Sequence, residues 1–262
     1  MAGESMRIAT FNVNSVRARL DIVTDWMREH RPDVMCLQET KVVDELFPAE
    51  PFEELGYHLE IRGQKAYNGV AVMSLEKPTR VVRGFEDGGS SEETRLMAAR
   101  IRGVTVLNTY VPQGFDVESP KYRYKLEWLD RLEAWFRENA GARRRVVWVG
   151  DINVAPEPED VHDPKRLDGH VCFNEQVREK LRRIVEAGRL VDVVRQHHPE
   201  PGFFTYFDYR GRTVEKNKGW RIDHVHATRP MAKRCTDAWV DMGPRRRERP
   251  SDHTVLVADF EL

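Results

Sequence analysis

The chain has 262 residues, a length that fits one large α/β domain or two smaller ones. It carries 42 Lys and Arg against 43 Asp and Glu, a net charge of -1. Overall charge therefore cannot attract a polyanion, and any polyanion partner would have to be bound by local basic patches. Three scattered cysteines exclude a disulfide framework and indicate a reducing, cytoplasmic protein, and neither a membrane-spanning apolar run nor a targeting pattern is present.

The N-terminal part of the chain predicts a βαβ unit. Arg7–Phe11 alternates polar and apolar residues, as a strand does, and Val34–Leu37 is a second, fully apolar strand. Between them, apolar residues recur at helical spacing, with Ser15 as the expected N-cap and Pro32 beyond the helix end. The length of the connection predicts that the two strands are parallel.

The middle of the chain predicts strands joined by short polar turns, with no helical period between them. We therefore expect an antiparallel meander and a mixed sheet. The segment Asp87–Glu93 is predicted to be a polar loop within it. The predicted strands are Tyr57–Ile61, Gly69–Ser74, Arg80–Val82, Leu96–Ile101 and Val104–Val111.

The second half of the chain mixes helices and strands. Pro120–Ala140 and Asn174–Gly188 show amphipathic helical patterns, separated by the buried strand Val146–Val149 and the irregular segment Ala155–Cys172. An early strand–FNVN–helix pattern is echoed later by strand–GDINV, which predicts two β-rich halves packed sheet on sheet. We expect one domain over residues 6–262 after a short extension, 1–5. The closing strands are Arg221–Ala227, Cys235–Val240 and Val255–Phe260.

Polar side chains recur at the ends of these strands or within them. Asp151 and Asn153 come directly after Gly150, where a glycine lets the chain turn or approach a ligand closely. Because ligand sites of α/β sheets form at the carboxyl ends of strands, this pattern predicts a shared crevice. A plain Asx turn is the alternative for Asp151 and Asn153. The other members of the set are Asn12, Glu39, Tyr110, Asp223, Asp252 and His253.

Carboxylates dominate this set, and cysteine is absent from it. Hard oxygen ligands favour Mg²⁺ or Mn²⁺ over zinc. Glu39 is the main ligand candidate because it follows an apolar strand, and the alternative is an ion pair with Lys41. Asp223 needs a partner or a function, and Arg221 on the same face remains an alternative, purely structural partner.

Basic residues form three runs, Arg143–Arg145, Arg245–Arg249 and a loop within 210–218. The first two are typical of solvated surface. The loop differs, because it joins the aromatic segment Phe203–Tyr209 to Trp220, and cations beside stacking groups are what a nucleic-acid groove needs.

Nine segments of the sequence resemble the exonuclease III class of abasic-site (AP) endonucleases, within the endonuclease/exonuclease/phosphatase superfamily. Their order matches that family and they span the chain from Met6 almost to its end. The resemblance implies a four-layer, DNase I-like α/β sandwich with two central mixed β-sheets flanked by helices. The segments are TFNVNSVRARL, PDVMCLQETK, YNGVAVMS, LNTYVPQG, KYRYKLEWL, VGDINVAP, FTYFDYR, NKGWRIDH and PSDHTVL.

The resemblance also implies an activity and a substrate. The expected activity is Mg²⁺-dependent incision of duplex DNA 5′ to abasic sites, leaving a 3′-hydroxyl, in base excision repair; Mn²⁺ would be a substitute. Several members also act as 3′-5′ exonucleases or 3′-phosphodiesterases. The expected partner is double-stranded DNA with abasic sites or 3′ termini, bound by a monomer that has no contact with membranes.

Roles carried over by position follow from the same resemblance. Glu39 would be the principal metal ligand, Asp151 would activate or position the attacking water, and His253, held by Asp252 or Asp223, would donate to the phosphate. The candidate catalytic residues are Tyr110, Asp151, Asn153, Asp223 and His253; the substrate-binding residues are Asn12, Asn153, Tyr206, Arg210, Trp220 and Ile222; the metal set is Glu39, Asn12, Asp151, Asn153, Asp252 and His253.

One position departs from the family, and two other functions stay open. Tyr206 stands where many members place a Trp in the pocket for the abasic sugar, and its hydroxyl needs a partner. A metal-dependent phosphodiesterase acting on undamaged DNA or another phosphoester is one alternative. A catalytically silent DNA-binding protein is the other.

Overall fold

Two six-stranded mixed sheets lie face to face in the part of the chain that the computed structural model describes, residues 4–89 and 93–262. The strands are β1 (Ser5–Asn12), β2 (Val34–Gln38), β3 (His58–Arg62), β4 (Val70–Ser74), β5 (Arg80–Arg83), β6 (Leu96–Ile101), β7 (Val104–Tyr110), β8 (Val146–Asp151), β9 (Leu190–Asp192), β10 (Asp223–Thr228), β11 (Cys235–Asp241) and β12 (Val255–Glu261). The first sheet has the order β11-β12-β1-β2-β4-β3 and the second β5-β6-β7-β8-β10-β9.

Each sheet contains one parallel pair at its centre. The predicted parallel pairing of β1 with β2 is confirmed, and β7 with β8 is its counterpart in the second sheet. The other neighbours within each sheet are antiparallel. The mixed sheets that the sequence predicted are therefore present, with β1 beginning at Ser5, two residues before the predicted strand start at Arg7.

The predicted antiparallel meander is wrong in one place, because β3 and β4 pair in the first sheet whereas β5, β6 and β7 pair in the second. Within the first sheet, β4 lies between β2 and β3. The apolar β4 is fully buried, whereas β3 is only partly buried. Because a strand that is apolar throughout needs cover on both sides, β4 takes the inner position and β3 the sheet edge.

Helices flank both sheets, and two of the shorter ones contribute to the core between them. The helices are α1 (Leu20–His30), α2 (Glu50–Glu54), α3 (Pro120–Asn139), α4 (Pro164–Leu167), α5 (Glu175–Gly188), α6 (Val193–His197) and α7 (Arg229–Ala232). One apolar cluster fills the space between the sheets, and two others lie under α1 and under α3 with α5. The four-layer α/β sandwich is thus confirmed. Part of the predicted loop Asp87–Glu93, residues 90–92, lies outside the described residues.

The start of the first helix differs from the prediction. Ser15 is not an N-cap, because α1 begins at Leu20 after a short 3-10 turn, Arg17–Arg19. The backbone N–H of Ser15 donates instead to the carbonyl of Glu39 at 2.8 Å. The chain leaving β1 is therefore held against the chain leaving β2, which keeps two strand ends of the site together. The N-cap of α5 is regular, with the side chain of Asn174 accepting from the N–H of Val177.

Candidate active site

The polar strand ends of both sheets meet at one edge of the sandwich. Tyr110 and Asp151 are paired neighbours in β7 and β8, and Asp151 is paired with Asp223 at the start of β10. Gly150 allows this arrangement, because it has φ +131° and an added Cβ would lie 2.0 Å from the carbonyl oxygen of Thr109. The second sheet thus aligns three of the predicted catalytic residues in a row.

Asn12 joins the two sheets across this edge. Its amide nitrogen donates to Glu39 Oε1 at 2.8 Å and to Asp151 Oδ2 at 2.9 Å. Its amide oxygen accepts the backbone N–H of Asn14 at 3.1 Å. The nitrogen of Asn12, and not its oxygen, therefore faces the carboxylates, so its predicted role as a metal ligand stays a prediction.

Glu39 lies at the end of the first sheet with its carboxylate toward the crevice. Lys41 Nζ is 2.8 Å from Glu39 Oε2, so the ion pair foreseen as the alternative role is present. Burial alone would raise the pKa of Glu39, but the ammonium of Lys41 and the bond from Asn12 outweigh it and lower that pKa. Glu39 therefore presents an ionised carboxylate beside Asp151, as a cation site requires.

His253 is oriented by Asp223, and not by Asp252. His253 Nδ1 lies 2.7 Å from Asp223 Oδ2, while Nε2 points toward Asp151 Oδ2 at 3.7 Å. Burial would lower the pKa of His253, but the carboxylates of Asp223 and Asp151 outweigh it and raise that pKa to about 10. Asp252 accepts instead from the side chain of Asn14 at 3.2 Å. The imidazole is therefore held as a buried cation.

Two further side chains have shifted acidities caused by burial. Burial raises the pKa of Asp151 to about 7, against the opposing attraction of His253. Burial, reinforced by Glu39 and Asp151, raises the pKa of Tyr110 well above its usual range, so its hydroxyl keeps its proton. Such shifted pairs are typical of sites that transfer protons.

The residues at this edge fit a divalent cation. Asp151, Asp223 and His253 offer ligand atoms within 4.8 Å of one another. Asp223 Oδ1 is buried and has no hydrogen-bond partner, although a buried carboxylate oxygen normally has one. With Glu39 nearby, the donors are mostly carboxylate oxygens, which is the chemistry of hard cations. The carboxylate of Asp252 stays outside this group, bonded to Asn14 and Ser251.

Asn153 lies in a left-handed turn behind Asp151. It has φ +51°, and its backbone N–H donates to Asp151 Oδ1 at 3.0 Å, which is the Asx turn expected as the alternative. Its side-chain nitrogen donates to the carbonyl of Val111 at 3.0 Å. Asn153 nevertheless lines the same cleft as Asp151, so the turn and a functional role coexist.

A cleft of about 720 Å³ opens from these residues. One wall is aromatic and apolar, with Tyr206, Trp220 and Ile222, and the ring of Tyr206 meets that of His253 edge-on at 5.0 Å. The rim is basic. All four predicted substrate-binding residues of this region line the cleft, and residues that we did not predict line it as well: His162, Arg166, Leu167, His170 and Cys172.

The sequence profile of the Endonuclease/Exonuclease/phosphatase family matches residues 9–253 of the chain. The chain belongs to this family. A solved structure of an AP endonuclease from Archaeoglobus fulgidus is similar over 98% of this chain and 100% of that one, with a TM-score of 0.95 and 49% identity. A 3′-5′ exonuclease (NExo) from Neisseria meningitidis matches over the same shares, with a TM-score of 0.94 and 37% identity. Exodeoxyribonuclease III of Haemophilus influenzae is 32% identical over 98% of this chain and 100% of its own length.

A second cluster of charged residues, around Arg221, has a structural role. Arg221 was foreseen as a partner of Asp223, but its buried guanidinium lies 2.6 Å from Asp160 Oδ1 and 2.7 Å from Asp192 Oδ2. It also contacts His224 Nδ1 at 3.2 Å. Asp192, His224 and His226 have the spacing of a metal group, yet the guanidinium already occupies the space between two of them. Asp223 is therefore left free to hold His253.

Two further features of this endonuclease/exonuclease/phosphatase chain are the composition of its helices and a buried lysine. None of the helices formed by residues 4–89 and 93–262 combines the length and the apolar composition needed to cross a bilayer. Sequence reasoning also missed Lys125, a buried lysine under Asn153. The signal was a lysine between two residues of the apolar stripe of the predicted helix, KYRYKLEWL.

Proposed function

We propose that the chain is a Mg²⁺-dependent DNA-repair phosphodiesterase that incises duplex DNA 5′ to abasic sites and leaves a 3′-hydroxyl. The observation that carries the proposal is the placement of Glu39, Asp151 and His253 at the floor of a cleft with one aromatic wall and a basic rim. The relatives named as AP endonuclease and exodeoxyribonuclease III support a DNA substrate. DNA bound to a Neisseria 3′-phosphatase (NExo), 36% identical to this chain, supports it as well.

Glu39 and Asp151 are the residues we assign to Mg²⁺, with Mn²⁺ as a substitute. Asn12 would hold both carboxylates in place, because its amide already bonds to each. Of the other residues predicted for the metal, Asp252 bonds to Asn14 and Ser251 and His253 is held by Asp223, so we do not assign these two to the cation, and Asn153 stays a candidate behind Asp151. When bound, the cation would neutralise charge that develops on the phosphate and polarise its phosphorus–oxygen bonds.

Asp151 is the residue we assign to the attacking water. Its raised pKa makes it a stronger base than an exposed carboxylate, and it lies beside the cation site. His253 would donate from Nε2 to a non-bridging phosphate oxygen, because Nδ1 is held by Asp223. Tyr110 keeps its hydroxyl proton and would direct it toward the phosphate or the leaving oxygen, and Asn153 would bind the phosphate.

The aromatic wall is the proposed site of the abasic sugar. Trp220 and Ile222 supply flat apolar surface, and Tyr206 takes the place of the Trp common in the family. Arg210, on the rim, would contact the DNA backbone. We propose that the protein acts as a cytoplasmic, single-domain monomer, with residues 6–262 as that domain.

A second activity, removal of nucleotides or blocking groups at 3′ ends, is also supported. Two solved structures of NExo from Neisseria, at 37% and 36% identity, are named as a 3′-5′ exonuclease and as a 3′-phosphatase. Both reactions hydrolyse a phosphoester next to a 3′ oxygen, so the same floor of the cleft would serve them.

The test compares three duplexes of one sequence: one with an abasic analogue, one with a 3′-phosphate at a nick, and one undamaged. We expect incision at the abasic analogue with Mg²⁺ and none with excess chelator. Asp151→Asn is the matched variant, expected to lower turnover by about 10³-fold or more while DNA affinity stays close to that of the wild type. Equal cutting of the undamaged duplex would contradict lesion specificity, and activity in excess chelator would contradict the metal assignment.

A further inference from the structure

The side chain of Lys125 is fully buried beneath the floor of the cleft. It extends from the middle of α3, and its ammonium donates to three backbone carbonyls: Asn153 at 2.7 Å, Val171 at 2.8 Å and Gln113 at 3.1 Å. Cys172 Sγ is also within 3.9 Å. All three protons of the ammonium are thus directed at neutral acceptors, and each acceptor belongs to a different segment of the chain.

Burying an ammonium group in this way is expensive. The desolvation of a charge is offset only by good hydrogen bonds, and an apolar side chain of similar volume would avoid that cost. The chain is built to receive the lysine, because Gly114 has φ +100° and an added Cβ would lie 3.3 Å from Lys125 Cδ. The benefit of a lysine at this position therefore lies in the positions of the three backbone carbonyls that it holds.

The three segments are the walls of the active-site cleft. Gln113 follows the strand that carries Tyr110, and it lines the cleft itself. Val171 precedes Cys172, which lines the cleft on the side of Trp220. Asn153 lies between them. One ammonium group thus joins the segment after β7, the catalytic turn after β8 and the wall of the lesion pocket.

The contact with Asn153 sets the direction of its peptide. The left-handed backbone of Asn153 places its carbonyl toward Lys125, its N–H toward Asp151 and its side-chain amide toward Val111. Asn adopts this left-handed conformation more readily than most residues other than glycine, and the three hydrogen bonds fix which way its peptide faces. Without the ammonium, the buried carbonyl would lose its donor and the peptide would turn to find another.

We propose that Lys125 is a positioning residue of the proposed phosphodiester hydrolysis, holding the turn of Asn153 in register with Asp151 and with the wall of the lesion pocket. It does not touch the substrate. Its loss therefore acts on the orientation of Asn153 and Asp151, and so on the rate of the chemical step more than on DNA affinity. The inference rests on the proposed function, so wild-type activity on the abasic duplex is measured first.

The experiment compares Lys125→Met with Leu132→Ala, a buried position of the same helix in the core under α3. Both changes destabilise the fold, and only the first removes the donors to the cleft. At a temperature well below both melting points, we expect Lys125→Met to lower kcat by about 10- to 100-fold, with KM changed by no more than about threefold. Leu132→Ala should keep kcat within about twofold of the wild type.

Further variants separate the outcomes. Lys125→Arg, which keeps charged donors, should recover part of the kcat lost in Lys125→Met. If Lys125→Met does not fold, Lys125→Gln takes its place under the same criteria. Equal kcat values for the Lys125 variant and Leu132→Ala would overturn the positioning role and leave a purely structural one. An inactive wild type would instead overturn the proposed function.

Discussion

His253 Nδ1 and Asp223 Oδ2 lie 2.7 Å apart in the interior of the site, with both side chains at least 95% buried. The bond orients Nε2 toward the cleft and supplies the charge that keeps the imidazole protonated. Asp223→Asn removes that charge and preserves the shape of the side chain. We therefore expect the pKa of His253 to fall from about 10, because burial is then opposed only by the charges of Asp151 and Asp252.

The measurement is an NMR titration of the His253 ring in metal-free protein, with His253→Gln to assign the signal. In parallel, kcat/KM at pH 8 should fall by about 100-fold, the typical effect of losing one charged donor at a developing oxyanion. Asp252→Asn is the matched control and should shift the pKa of His253 much less, because Asp252 bonds to Asn14. A pKa unchanged by Asp223→Asn would contradict the assignment of the partner.

The strand ends of this fold could be predicted from sequence, because each follows an apolar run and a turn residue. Asp151 after Gly150 and Glu39 after Val34–Leu37 are local patterns, and the common end of the sheets brings them together. The pairing of neighbouring strands within a βαβ unit is likewise a short-range property. These features need no knowledge of distant partners.

The remaining features depend on contacts between residues far apart in the chain. Ser15 has the sequence of a cap, but its backbone pairs with the chain after β2. Arg221 stood two residues from Asp223, yet it pairs with Asp160 and Asp192 across the second sheet. Lys125 has the pattern of a snorkelling helix residue and is instead buried. Each outcome was decided by which long-range partner offered the better hydrogen bonds.

Trp220 provides the test of the aromatic wall. Burial of the apolar faces of a deoxyribose against an aromatic ring contributes about 1–3 kcal/mol, so Trp220→Ala should lower kcat/KM for the abasic duplex by about 10- to 100-fold. Removal of a 3′-phosphate should fall less, because that reaction needs no sugar in the pocket. The ratio of the two activities is the measurement. Equal losses in both activities would show that Trp220 does not select the lesion.

The basic rim predicts a salt dependence that can be assigned to particular residues. Lys216 and Lys218 line the cleft, whereas Arg143 and Arg144 precede β8 at the opposite end of the sheet. Each phosphate contact contributes about -0.9 to the slope of log K against log salt. The double change Lys216→Gln/Lys218→Gln should therefore make that slope shallower by about 2.

The matched control is Arg143→Gln/Arg144→Gln, which removes the same charge at the far end of the molecule. Its DNA affinity, measured between ~50 and ~200 mM salt, the range in which phosphate contacts are screened, should give the same slope of log K against log salt as the wild type. Similar slopes for both double variants would place the DNA outside the cleft.

The buried histidines behind the site predict a loss of stability in mild acid. Burial, with the nearby guanidinium of Arg221, lowers the pKa of His224 well below its ordinary value, and burial lowers that of His226. The unfolded chain binds a proton at each near pH ~6.5, whereas the folded chain binds it only at lower pH. Their contribution is therefore fully present above that pH and is lost as the pH falls toward the pKa of the folded state, by at most about 1.4 kcal/mol per pH unit for each histidine.

Comparing His226→Gln with the wild type isolates this effect. Asp151 changes the stability in the opposite direction as the pH falls, but it does so equally in both proteins. The pKa of Asp151, raised to about 7, makes its protonated form favourable in the fold as the pH falls toward its unfolded value. Urea midpoints of wild type and variant, measured in steps between about pH 7 and pH 5, should show a stability loss that is shallower in His226→Gln, by at most about 1.4 kcal/mol per unit. Parallel curves would mean that His226 is protonated in the folded protein, and that its ring, between Trp148 and His224, accepts a charge.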